Sequence, residues 1–122
     1  MNAAAGTGRL DVRRAYEPAL EGEGRLVLVD RVWPRGLSKQ DLAGVLWLRD
    51  VAPSTALRKW FGHEPERWEE FQTRYFTELR TNPAVAQLRD MLTTGPVTLL
   101  YGARDKAHNQ AVALATFLTG NG

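Results

Sequence analysis

The chain has 122 residues, 43% of them hydrophobic and 25% charged, with a formal charge of +2 and no cysteine. That length predicts one domain with a core that needs no covalent staples. The missing cysteines exclude disulfides, thiolate nucleophiles, iron–sulfur clusters and cysteine-based zinc sites.

No apolar run approaches the roughly 20 residues of a membrane span, so no membrane partner is expected. The opening MNAAAGTGR has neither the charged start nor the apolar core of a secretory signal. Residues 1–9 and 119–122 read as flexible tails of a single 1–122 domain. Thirteen of the sixteen basic residues are arginine, the better side chain for holding phosphate or carboxylate with two hydrogen bonds. Codon usage explains the same excess more cheaply.

Residues 10–16 (LDVRRAY) alternate loosely as a first strand, which Glu17-Pro18 stops, and residues 21–24 (EGEG) make a flexible turn. Residues 25–30 form a second strand, in which Val27, Leu28 and Val29 have the bulk of a strand buried on both faces. Asp30 ends the apolar run, and Arg31, Trp33, Pro34, Arg35 and Gly36 follow at once. Ser38 with Asp41 three residues on is a variant capping box, predicting a short helix from Ser38 that Gly44 weakens. Residues 45–51 (VLWLRDV) are ambiguous, with β-branched and aromatic content favouring a strand that Pro53 closes.

Ser54 then caps a helix over 55–61, with Leu57, Trp60 and Phe61 on one face and Gly62 at its end. Residues 65–80 make the clearest helix, because Trp68, Phe71, Tyr75 and Leu79 form one apolar stripe that Phe76 widens. Asn82-Pro83 opens another helix through Leu92, and Gly95-Pro96 breaks it. Residues 97–101 (VTLLY) are a further buried strand, and after a turn at 102–105 a last helix is expected over 106–118. The alternation predicts an α/β domain, a small and mainly parallel sheet flanked by helices on both faces in a three-layer, Rossmann-like arrangement. The first strand is expected antiparallel at an edge, because its connection to the second is too short for a helical crossover.

In an open α/β sheet ligands collect at the carboxyl ends of the strands. Two strands end in polar turns, DRVWPRG and GARDKAHN. As parallel neighbours they would offer Asp30, Arg31, Arg35, Tyr101, Arg104, Asp105, Lys106, His108 and Asn109 to one pocket, beside the N–H groups of the last helix. The basic excess points to a small anionic ligand bearing phosphate or carboxylate. The alternative is that Asp30 pairs with an arginine to hold the turn while the other charges are solvated. Ser54 and Arg58 are a second anion-binding candidate, against the reading that Ser54 only caps its helix and Arg58 lies on the surface. No base neighbours Ser54 in sequence, so a nucleophilic serine is unsupported.

His63 and His108 are the only histidines and have no metal-ligand spacing, so no metal is expected. Trp60 and Trp68 read as core, whereas Trp33 in the arginine turn is the one to stack on a ligand. Neither GxxxxGK[ST] nor GxGxxG occurs, and no cofactor is expected. The balanced charge and the lack of a basic recognition helix argue against nucleic acid.

Five stretches carry a family resemblance: RRAYEP at 13–18, LVDRVWPRGLSK at 28–39, WLRDVAPSTALRKWFGH at 47–63, WEEFQTRYFTEL at 68–79 and VTLLYGARDKAHNQAVAL at 97–114. Together they resemble the YeaO-like family, domain-of-unknown-function family 488, found in bacteria and archaea. The resemblance implies a compact cytoplasmic α/β domain and brings no mechanism with it. Where that family commonly reads Pro-Ser-x-Glu-Leu-Arg-Lys, this chain has Ala56 in place of the glutamate. A catalytic acid there would be lost; a first-turn dipole partner, the preferred reading, would cost little.

The expected ligand-binding residues are therefore Arg31, Arg35, Ser54, Arg58, Tyr101, Arg104 and Asn109, with Asp30 orienting the arginines or acting as a base. A hydrolase or transferase using Asp30, a regulatory or DNA-interacting module, and homo-oligomerisation stay open.

Overall fold

In the computed structural model, which describes residues 9–121, four strands form a single all-parallel sheet. They are β1 (Leu10–Arg14), β2 (Arg25–Leu28), β3 (Leu46–Trp47) and β4 (Val97–Tyr101), in the order β1-β4-β2-β3 across the sheet. β4 is buried at every position, as its uninterrupted VTLLY requires of a central parallel strand. Leu99 is in register with Val12 on one side and Val27 on the other, so the β2 and β4 carboxyl ends lie side by side.

The antiparallel pairing expected of the first strand is not found: β1 runs parallel to β4, which separates it from β2. Ten residues, 15–24, make that return without a helix. Their extended reach of roughly 33 Å exceeds the roughly 17 Å length of a five-residue strand plus the roughly 10 Å step across two strand spacings. Gly24 closes the return at φ +70, where a Cβ would sit 2.1 Å from the Pro96 carbonyl oxygen. The Arg25 N–H donates to that same oxygen at 3.0 Å.

Four α-helices follow the expected order: α1 (Thr55–Phe61), α2 (Trp68–Arg80), α3 (Pro83–Thr94) and α4 (Gln110–Thr116). Their buried side chains join one cluster with Val27, Val29, Val97, Leu99 and Tyr101. Leu28 and Leu100 point to the opposite face, where Ala15, Leu42, Leu37, Val45, Trp33 and Trp47 cover them. The α/β reading with a parallel sheet thus holds. Both faces are covered, one by helices and the other by turns between β2 and β3.

No helix starts at Ser38. Its N–H donates to Asp41 Oδ2 at 2.7 Å and its hydroxyl accepts from the Asp41 N–H at 3.0 Å, but this reciprocal pair closes only turns. A cap contributes about 1 kcal/mol, too little to hold a helix that has no apolar stripe behind it. The ambiguous 45–51 stretch divides into β3 and one 3-10 turn, Arg49–Val51. A 3-10 turn, Pro65–Arg67, likewise precedes α2.

The last helix begins at Gln110 and not at 106, because Asp105 Oδ1 takes the N–H groups of Ala107 and His108 in a turn of its own. A wider helical turn, Phe117–Asn121, follows α4. Of the expected tails, 1–8 and 122 lie outside the described residues, while the Arg9 carbonyl accepts from the Val97 N–H at 2.8 Å. No helix among the described residues is long and apolar enough to cross a membrane.

Candidate functional site

A cavity of about 670 Å³ opens at the carboxyl ends of β2 and β4. Its walls come from the turn after β2, from the segment leading into and through α1, and from the loop between β4 and α4. Asp30, Arg31, Arg35, Arg58, Arg104 and Asn109 all line it, so the topology brings together six of the eight residues singled out from the sequence.

Asp30 is half-buried and forms no ion pair among the described residues. Its Oδ2 accepts from the Gly102 N–H at 2.9 Å, and its Oδ1 accepts from the side-chain amide of Gln110. The carboxylate thus ties the end of β2 to the end of β4 and the first turn of α4, without the arginine partner that was one sequence alternative. Burial pushes its pKa up to about 6, against the opposing pull of those two hydrogen bonds. The approach is close, since a Cβ on Gly102 would lie 2.9 Å from Oδ2.

The arginines divide into two kinds. Arg31 is partly committed: its Nε donates to the Pro53 carbonyl at 3.1 Å and Nη2 to that of Ala52 at 3.3 Å, bracing the turn against the entry to α1. Arg35, Arg58 and Arg104 are exposed, and their guanidinium groups have no hydrogen-bond or ionic partner among the described residues. Arg14 serves the site indirectly, because its Nε donates to the Ala103 carbonyl at 2.8 Å and steadies the loop carrying Arg104.

Ser54 and Tyr101 do not line the cavity. The Ser54 hydroxyl accepts from the Leu57 N–H at 3.1 Å and donates to Glu78 Oε2 at 2.6 Å, while its own N–H donates to Glu78 Oε1 at 2.8 Å. It is a cap locked to α2. Tyr101 points into the helix-side core, 3% exposed, as the alternation along β4 dictates, and burial raises its pKa.

Asn109 reaches the cavity wall, but its amide is spent. Nδ2 donates to the Asp105 carbonyl at 2.9 Å and Oδ1 accepts from the Val112 N–H at 3.0 Å, capping the helix N–H groups that were expected to face a ligand. Lys106 pairs with Glu17 at 2.5 Å on the surface, and His108 bonds to Asp105 while packing edge-on against Trp68. Trp33 lines the cavity yet is largely engaged elsewhere, donating its indole N–H to the Leu37 carbonyl at 2.6 Å and packing on Trp47. Trp60, expected in the core, is half-buried with Arg67 and Arg74 over its ring.

Sequence reasoning missed Gln110, Tyr16 and the apolar floor of Phe61 and Phe71. Gln110 is 80 positions from Asp30, and no local pattern marks such a pair. Tyr16 looked like the end of a strand, but its hydroxyl donates to the Arg35 carbonyl at 2.6 Å and anchors the arginine turn. His63, just past the end of α1, takes φ +59 and also lines the cavity.

A family model described as "Inactive DUF488-N3 subclade" matches residues 9–121. The "Uncharacterized protein Rv3073c" of Mycobacterium tuberculosis (strain ATCC 25618 / H37Rv) is 43% identical over 112 residues, covering 92% of this chain and 95% of that protein. The "Uncharacterized protein YeaO" of Escherichia coli (strain K12) is 39% identical over 110 residues, covering 89% of this chain and 96% of its own length. No solved structure gives a significant match. With the match running the length of the described fold and through both turns of the cavity, the chain belongs to the YeaO-like DUF488 family.

Proposed function

We propose that the protein binds a small ligand bearing phosphate or carboxylate in this cavity, without chemical turnover. The observation that carries this reading is the trio of exposed arginines, Arg35, Arg58 and Arg104, lining one cavity with no side-chain partner among the described residues. Guanidinium groups converging on one space repel each other, and a shared anion relieves that repulsion while using their forked donors. Arg31 and Asn109 shape the walls, their polar groups being mostly engaged. The subclade's description as inactive supports binding over turnover.

Calorimetric titration with inorganic phosphate and acetate tests the proposal. Saturable binding of either anion is expected, and Arg58→Ala with Arg104→Ala should weaken it at least tenfold while leaving the melting temperature of the free protein within a few degrees. Absence of binding at low salt by these anions and by their organic esters alike would overturn it.

One observation favours a second reading, a hydrolase or transferase. A half-buried carboxyl in a cavity with a pKa of about 6 has the properties of a general acid–base group. Turnover of phosphate esters by the wild type that Asp30→Asn abolishes, with folding intact, would establish that reading in place of simple binding.

A further inference from the structure

Resting on the anion-binding reading, we infer that the ligand has two parts: an anionic head held at the mouth by Arg35, Arg58 and Arg104, and an apolar ring-bearing body lodged against Phe61, Phe71 and Pro53. The chemical class is an organic monophosphate or carboxylate of aryl type, not a bare inorganic anion.

The cavity is graded in both exposure and polarity. Its charged rim residues Arg35, Arg58 and Arg104 are exposed, whereas Pro53, Phe61 and Phe71 are buried and apolar, the two phenylalanines stacked with centroids 4.4 Å apart. Surface apolar atoms predominate in the lining, and a volume of about 670 Å³ lies in the range of sites that enclose organic ligands. A bare phosphate gripped by three arginines would leave the exposed apolar part of the cavity lining wetted, and covering it with a ring releases water from that surface.

Asp30 sets the direction. Its carboxylate stands on the cavity wall with its oxygens engaged by Gly102 and Gln110 and, among the described residues, in no ion pair with an arginine. A negative charge in a partly desolvated wall repels an anionic head from that end. The head is therefore confined to the arginine mouth and the neutral body turns inward.

Titration calorimetry on the full chain at low salt with three probes tests this inference: inorganic phosphate, methyl phosphate and phenyl phosphate. Phenyl phosphate is expected to bind at least tenfold more tightly than inorganic phosphate, with methyl phosphate between them. Arg58→Ala combined with Arg104→Ala should weaken all three by a similar factor and preserve their ratio, since these exposed residues touch only the head. Equal binding of the three probes would overturn the two-part ligand and leave the anion reading standing. No binding of any probe, or binding that the arginine variant leaves unchanged, would overturn both.

Discussion

Asp30, held between the ends of β2 and β4, leaves a signature in stability. Its carboxyl ionises at about 6 when folded, against an ordinary value of 3.8. A carboxyl whose pKa is raised by folding contributes stability that is complete below its unfolded pKa and is lost as pH rises through the folded one. The contribution therefore fades between pH about 4 and about 6, and two units correspond to about 3 kcal/mol at most. Asp41, Asp105 and Glu17 are shifted downward by their hydrogen bonds, so their contributions are lost in the opposite direction, as pH falls. The readout is thus the difference between two proteins. Asp30→Asn can still accept from the Gly102 N–H and exchange an amide bond with Gln110. Relative to wild type it should gain stability as pH rises from 4 to 7, measured by calorimetric melting at each pH. Gly24→Ala is the opposite kind of change, purely steric. A Cβ 2.1 Å from a carbonyl oxygen at φ +70 should cost about 3 kcal/mol or more in urea unfolding.

Pairs of elements are joined by polar contacts that the local sequence does not advertise. Arg13 of β1 meets Glu23 in a two-pronged ion pair buried on both sides, while Arg13 Nη1 also donates to the Glu17 carbonyl at 2.5 Å. Residues 21–24 had read as a flexible turn; Glu23 is instead 8% exposed, and its carbonyl accepts from the Thr98 hydroxyl at 2.9 Å. Arg13→Ala leaves that carboxylate buried and unpaired, and should cost about 3–5 kcal/mol in urea unfolding. Arg13→Met with Glu23→Leu should recover most of the loss, because no uncompensated charge remains. Ser54→Ala removes the cap of α1 and its link to Glu78 in α2. A loss of about 1 kcal/mol or somewhat more is expected. Its affinity for phosphate should be unchanged, since Ser54 stands outside the cavity. A weakened affinity in titration calorimetry would return Ser54 to the site.

For the molecule as a whole, the site is a consequence of strand order. β4 enters the sheet beside β2 after nearly seventy intervening residues, and only then do the turns at Asp30 and Gly102 become neighbours. Because the arginine rim is exposed, its hold on an anion should be screened by salt. The melting-temperature increase produced by phosphate should therefore shrink by at least half between about 0.05 M and about 0.3 M sodium chloride, where the screening length falls below about 10 Å. A shift insensitive to salt would place the bound anion in a buried site instead.

The amino-acid sequence by itself determined the strongly patterned elements. The run at Val27–Val29, the VTLLY strand, the stripe of Phe71, Tyr75 and Leu79, and the caps at Ser54 and Asn82 are local in origin: burial and backbone satisfaction act within a few residues, and each leaves a readable period or punctuation mark. It also determined that polar turns follow two buried strands. Only the tertiary structure decided that β1 is parallel, that α4 waits until Gln110, that Ser54 and Tyr101 face away from the cavity, and that Gln110 answers Asp30. Those outcomes depend on which long-range partner satisfies a polar group or fills a face. The turn after β2 marked the place of the candidate site; the fold decided which of the cavity's arginines have no side-chain partner among the described residues.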